Sequence, residues 1–341
     1  MSAVPIGLVA TATHVPARWA GSAELAGLTG VPEQVLVDKF GLHGKYLAGE
    51  GEHVSGLAAA AGRAVLEQSG TNPADVDAVL YFGSTFKDYP VWQVSPCIAH
   101  ELGCTSAFAL ELDYVSCGAP VALRVARDLL AAEDNLRTVL LVAAACESRL
   151  VDYTNPRTRF MLPFGDGAVA GLLVRGQQSG QVLGSHMVTD GFLTHQVRVP
   201  AGGSRQPSTH ATVTAGRHFL DVADPASLGA RLDQVSLPNF LTVAEQACKR
   251  SGLTLADVDY LCSVHLKPSM HAVLLEALGL MPSQAAYLDR YGHMSGVDSL
   301  LAYDQARRSG AIADGDVVLL LAAGTGYTWA ATIVQAGAEP T

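Results

Sequence analysis

One β/α unit is written twice in this chain. "ADVDAVLYFGS" at 74–84 returns as "ADVDYLCSVHL" at 256–266, and "LRTVLLVAAACES" at 136–148 is echoed by "GDVVLLLAAGTGY" at 315–327. Between the members of each pair comes a turn that opens a helix: "YVSCGAPVALRVARDLL" in the first half, "YGHMSGVDSLLAYDQARRSG" in the second. A single match between apolar strands arises easily by chance. Three segments repeated in the same order do not, and repeats of this kind dictate the architecture. The expected fold is α/β, with two halves, 1–175 and 176–341, meeting at the turn-rich "VRGQQSGQ" of 174–181 and related by a pseudo-twofold axis. Strands that are apolar throughout, rather than alternating, belong to sheets covered on both faces. The axis also brings the same turn of each half toward a shared centre. Cys117 and His293 stand at those two turns.

Composition narrows the function. Of 341 residues, 49% are hydrophobic and 16% charged, which predicts much buried sheet and a buried interface between two copies of the chain. A net charge of −10 argues against nucleic acid, whose phosphates need a basic footprint. The longest apolar runs, 138–146 and 317–324, are too short to cross a membrane. The start "MSAVPIGLVATATHVPARW" lacks the pattern of a signal peptide. Six cysteines without paired short spacings indicate neither metal nor a disulfide framework, which fits a reducing cytoplasm.

The chemistry-bearing residues cluster at the ends of the repeated units. Strand-like residues run from Phe108 to Val115, and a helix follows with Val121, Val125 and Leu129 on one face. Cys117 lies between them, where free N–H groups and the helix dipole favour a thiolate. The alternative is a small buried apolar residue, the usual fate of a free cysteine. In "YGHMSGVDSLL", Asp298 stands five residues after His293, able to accept an imidazole N–H and leave the other nitrogen as a base. The alternative there is a surface turn and a dipole-favoured helix start. His265 ends the repeated strand in "VHLKPS", at the carboxyl end where α/β sheets place their sites. "AAGTGYTW" at 322–329 offers small residues whose N–H groups suit an oxyanion, or simply a tight turn. His195, in "TDGFLTHQ", is a further pocket candidate, whereas Asp166 in "PFGDGAVAG" reads as part of a structural glycine turn.

Together these pieces resemble the thiolase superfamily, and within it the β-ketoacyl-carrier-protein synthase III group. The order strand–Cys–helix, FGDGA, strand-end His, "YG-x-x-S" and "GTGYTW" spans nearly the whole chain. The resemblance implies a layered α-β-α-β-α fold, a homodimer, and an acyl group carried on Cys117 from an acyl-coenzyme A or acyl carrier protein thioester, with no permanently bound cofactor and no metal. It assigns His265 to the family's active-site histidine and the backbone of Cys117 and Thr325 to the oxyanion, although Gly is usual where Thr325 stands. Lys39, Arg157 and Arg159 are the basic residues that would meet a pantetheine phosphate, unless they are solvated surface charges. The aromatic residue that stacks on coenzyme A in many relatives is missing from "QVLVDKFGLHGKY".

The chain also departs from the family. Condensing members have Asn where His293 stands, and the Asn that follows the strand-end His is not found in "HLKPSMH". A histidine with an acid five residues on resembles instead a divergent branch of antibiotic pathways that moves acyl groups, malonyl among them, to oxygen, or that selects a starter acyl group. The expectation is therefore an acyltransferase that delivers an acyl group to the hydroxyl of a small-molecule acceptor. A condensing enzyme and a catalytically silent partner subunit are the alternatives.

Overall fold

The computed structural model describes residues 4–337. The first half runs β1 (Ile6–His14), β2 (Arg18–Gly21), α1 (Ser22–Thr29), α2 (Glu33–Phe40), β3 (Gly44–Leu47), α3 (Val54–Ser69), β4 (Ala78–Tyr81), α4 (Val94–Leu102), β5 (Phe108–Glu111), α5 (Gly118–Ala132), β6 (Thr138–Cys146) and β7 (Asp166–Arg175). The second runs β8 (Gln181–Thr189), β9 (Val197–Arg198), α6 (His210–Thr214), β10 (Asp221–Val222), α7 (Pro225–Arg250), β11 (Tyr260–Ser263), α8 (Pro268–Leu278), β12 (Ala285–Ala286), α9 (Asp298–Arg308), β13 (Val317–Gly324) and β14 (Thr328–Gln335).

The repeat reappears as sheet topology. Strands follow the order β12-β11-β13-β14-β8-β1-β7-β6-β4-β5, so β1-β7-β6-β4-β5 and β8-β14-β13-β11-β12 are copies placed back to back. Within each copy the three strands nearest the junction pair antiparallel, and the outer two add on parallel. The bond between copies is slight, the pairing of Gly7 with Gln181.

Apolar runs on both faces of these strands are what a layered molecule requires. Successive side chains of a strand point to opposite faces. On β6, Val139, Leu141, Ala143 and Ala145 join the central core, while Leu140, Val142 and Ala144 meet α3 and α4 on the outside. On β13, Val318 and Leu320 face the centre and Leu319 and Leu321 face α7 and α8. α5 and α9 form the middle layer, completing α-β-α-β-α. No helix of the described residues is long and apolar enough to cross a membrane.

Two local expectations need correction. β5 ends at Glu111 rather than Val115, because the chain leaves the sheet to reach the centre and Val115 takes a positive φ of 43°. The buried surface of α5 is wider than Val121–Val125–Leu129: it also takes in Ala119, Ala122, Leu123, Ala126 and Leu130, a cluster against which Val125 packs as well. Val121 serves a separate cluster around Cys117. A helix sandwiched between sheets is buried around most of its circumference, and its alanines allow that close approach. Fully burying Leu123 and Leu130 contributes about 2 kcal/mol each.

Candidate active site

Two elbows, one from each half, meet at the centre. In the first, Val115 at φ +43° leads into a 3₁₀ turn, Val115–Cys117, and then α5. In the second, Ser295 at φ +55° leads into the turn Ser295–Val297 and then α9. Non-glycine residues in this region of φ are strained and are held there by their surroundings. The elbows touch through glycine. A Cβ on Gly118 would stand 2.1 Å from the Phe82 carbonyl and 3.1 Å from the Gly296 Cα. By this correspondence Cys117 matches Val297, and Ser116 matches Gly296.

His293 is set by the chain just before the second elbow. Its N–H donates to the Pro163 carbonyl and its own carbonyl accepts from Gly165 N–H, each at 2.9 Å, so the FGDG segment clamps it. Gly292 makes this possible: it has φ +71°, and a Cβ there would lie 2.1 Å from the Pro163 carbonyl oxygen. Lys45, wholly buried, secures the same segment by donating to the Leu162 and Phe164 carbonyls at 2.7 and 2.6 Å and to the Tyr153 hydroxyl at 3.0 Å. Burial pushes its pKa down to about 7, against the pull of Asp166. The Phe164 ring packs 5.0 Å from the imidazole.

Asp298, the first residue of α9 and only 1% exposed, organises the centre. Oδ2 accepts from His293 Nδ1 at 2.6 Å and from the His265 N–H at 2.8 Å, and Oδ1 accepts from the Met294 N–H at 2.6 Å. The spacing of five thus brings acid and imidazole together. Burial would lower the His293 pKa, but the Asp298 carboxylate, its hydrogen bond and Glu147 outweigh it, so the pKa lies above the ordinary value. Glu147, which the sequence did not mark out, is buried after β6 and bonds to the Ser84 and Ser295 hydroxyls. With Nδ1 as donor to Asp298, Nε2 carries the lone pair. It lies 2.8 Å from Ser116 Oγ.

The remaining expectations fare differently. Cys117 is fully buried, and its thiol donates to the Thr328 carbonyl at 3.0 Å. The N–H groups of Gly324 and Ala330 point at its sulfur, yet burial dominates and pushes the thiol well up rather than favouring a thiolate. The Cys117 N–H donates to the Tyr114 carbonyl at 3.0 Å, so it is engaged and not directed at an oxyanion. Thr325 begins the turn of the β13–β14 hairpin that walls in the sulfur. His265 emerges at the end of β11, but its Nε2 meets the Phe40 carbonyl at 3.0 Å and Nδ1 is buried without a partner. Burial, opposed by Asp298, lowers its pKa to about 4. It is a neutral histidine whose one ring N–H is committed to the end of α2.

Lys39, Arg159 and His195 are exposed, on α2, in the turn before β7 and in the loop before β9. Arg157 is tied to Asp221. None of the four has a hydrogen bond to the Ser116–His293–Asp298 group. Asp166 is structural: its carboxylate accepts from the Ala48 and Ser148 N–H groups at 2.7 and 2.9 Å. Sequence reasoning passed over Ser116.

Known proteins share this frame. Residues 110–191 match the profile described as 3-oxoacyl-[acyl-carrier-protein] synthase III, and residues 248–336 match that of its C-terminal part. The β-ketoacyl-[acyl-carrier-protein] synthase III of Brucella suis is 31% identical over 328 residues, 94% of this chain and 96% of its own. That of Caldanaerobacter subterraneus is 25% identical over 97% of this chain and 98% of its own. Among solved structures, the priming β-ketosynthase of the R1128 polyketide biosynthetic pathway superposes with a TM-score of 0.87 at 23% identity, covering 99% of this chain and 98% of its own. OleA of Xanthomonas campestris does so with 0.80 at 15% identity, covering 97% and 99%. Two matching profiles, near-complete coverage and the paired five-stranded sheets agree: the chain belongs to the β-ketoacyl-[acyl-carrier-protein] synthase III family of the thiolase superfamily.

Proposed function

We propose that this protein takes an acyl group, malonyl or another short or aryl acyl, from a coenzyme A or carrier-protein thioester and delivers it to an acceptor hydroxyl in secondary metabolism. The acyl group rests meanwhile on Cys117, in the elbow before α5. The observation that carries this reading is His293, oriented by Asp298 at 2.6 Å and presenting Nε2 to a hydroxyl at 2.8 Å. A base so placed can take a proton from an attacking O–H and return it to the leaving group. Condensation asks for something else, N–H donors around the enolate oxygen of a decarboxylated extender. His293 has Nδ1 committed to Asp298, and the ring N–H of His265 is committed to Phe40.

Condensation is the second reading, because the named relatives are β-ketoacyl synthases. The elbow then serves the same acylation and His293 a different second step. The six unpaired cysteines fit a reducing cytoplasm. The homodimer is supported by the edge strand β5, where Phe108 and Leu110 are exposed. The test is to supply a panel of acyl thioesters with simple alcohols and to identify products by mass. Ester formation that disappears in His293→Ala supports acyl transfer to oxygen; ester formation unchanged in that variant refutes the proposed base.

A further inference from the structure

A second buried carboxylate faces His293 from the first half of the chain. Glu147 is the first residue after β6, opens the 3₁₀ turn Glu147–Leu150 and is only 7% exposed. It accepts from two hydroxyls, those of Ser84 and Ser295. Ser84 is wholly buried and rigidly held. Its N–H donates to the Ala144 carbonyl at 2.9 Å, its carbonyl accepts from the Tyr81 hydroxyl at 3.0 Å, and its Oγ accepts from the Phe86 N–H at 2.9 Å. Ser295 is the strained residue of the second elbow, at φ +55° and two residues after His293. Its neighbour Gly296 lies so close to the first half that a Cβ there would stand 2.4 Å from the Phe82 carbonyl oxygen. Glu147 therefore bridges the strand-end frame of one half to the elbow of the other. A bridge of hydrogen bonds alone would not need a charge, since a glutamine amide could meet the same two hydroxyls. Burying a carboxylate without an opposite charge is costly. The opposite charge here is the one His293 acquires when it takes a proton, and the attraction between the two is mutual.

We infer that Glu147 is a positioning residue for the transfer step: it fixes the second elbow through Ser295 and sets a second negative charge beside the imidazolium that His293 becomes. The inference rests on the acyl-transfer reading above and deepens it. In that step the acceptor hydroxyl gives its proton to His293 Nε2 and bonds to the acyl carbon, so a positive charge forms on the ring. Asp298, bonded to Nδ1 at 2.6 Å, meets that charge directly. Glu147 meets it through space, and neither touches substrate nor moves a proton. The bond from the acyl carbon to the Cys117 sulfur then breaks, the sulfur takes the proton, and the ring is neutral again. Charged and titratable groups reach His293 from three elements: Asp298 from α9, Glu147 from the end of β6 and His265 from the end of β11. His265 stays neutral, its pKa lowered by burial to about 4, so the two acids set the balance. Asp166, at the start of β7, repels Glu147 and is itself held by the Ala48 and Ser148 N–H groups.

The experiment follows ester formation from an acyl-coenzyme A and a simple alcohol across pH, with the unaltered protein and with Glu147→Gln. The glutamine keeps a partner for both hydroxyls and loses the charge. The midpoint of the acid limb should move to lower pH, because a charge that favours the imidazolium is gone, and kcat should fall about tenfold at unchanged KM. Glu147→Asp, which restores the charge, should bring the midpoint back. A Glu147→Gln profile superimposable on that of the unaltered enzyme overturns the inference and leaves the acyl-transfer reading intact. A lowered denaturation midpoint with the pH midpoint unmoved does the same, since it makes the residue structural only. No ester from the unaltered enzyme, or ester formation undiminished in His293→Ala, overturns the acyl-transfer reading and the inference with it. Should Glu147→Gln fail to fold, Ser295→Ala tests the tether: kcat should fall severalfold with KM held, and an unchanged kcat overturns the inference.

Discussion

A single carboxylate holds the site together. Asp298 receives three donors, two of them backbone N–H groups, and so fixes the His293 ring and the end of β11 together. Because the His293 pKa is raised, the acid limb of the rate–pH profile should have its midpoint above ~6.5, the ordinary histidine value. The sign follows from the role: the base is neutral imidazole, so activity falls as pH drops through that pKa. Asp298→Asn removes the charge that raises it and spoils the tautomer. The midpoint should move to lower pH and the plateau should fall at least ~10²-fold. A profile superimposable on that of the unaltered enzyme contradicts the assignment. Stability carries the same signature. The protonated His293–Asp298 pair contributes fully below the unfolded pKa, near 6.5, and the contribution is lost as pH rises through the folded pKa.

The elements follow from the sequence unevenly. The repeat announced the sheets because β4 and β11, or β6 and β13, must be apolar on both faces wherever layers cover them. The pairing of His293 with Asp298 was legible for a local reason, as five residues suffice to turn a chain back onto a helix start. Ser116 was not, because serine before a helix reads as an ordinary start and its partner is 177 residues away. His265 was placed correctly at a strand end, but strand position does not say which way a side chain turns, and the Phe40 carbonyl decided it. Two changes test how the elements hold the site. Gly118→Ala drives a methyl into the Phe82 carbonyl and the opposing elbow, and should cost about 3 kcal/mol. Lys45→Met leaves the Leu162 and Phe164 carbonyls without their donor. It should cost ~3 kcal/mol and lower activity by loosening the segment that clamps His293. Denaturant midpoints at unchanged m-value measure both.

For the whole molecule, the exposed edge is informative. β5 ends the sheet with Phe108 and Leu110 uncovered, and the loop before α4 exposes Phe86, Tyr89 and Val91. Edge strands with apolar faces invite pairing with another chain. Sedimentation equilibrium should give twice the monomer mass, and Phe108→Asp should shift it toward the monomer; a monomer for the unaltered chain at micromolar concentration refutes the dimer. The same paired architecture would serve a condensing enzyme equally well, so neither fold nor assembly separates the two chemistries. The fate of a carboxyl carbon does. With an acyl-coenzyme A, an alcohol acceptor and malonyl-coenzyme A labelled with ¹³C in its free carboxyl, acyl transfer to oxygen yields an ester and releases no labelled carbon dioxide. Labelled carbon dioxide appearing in step with a β-keto product would contradict it.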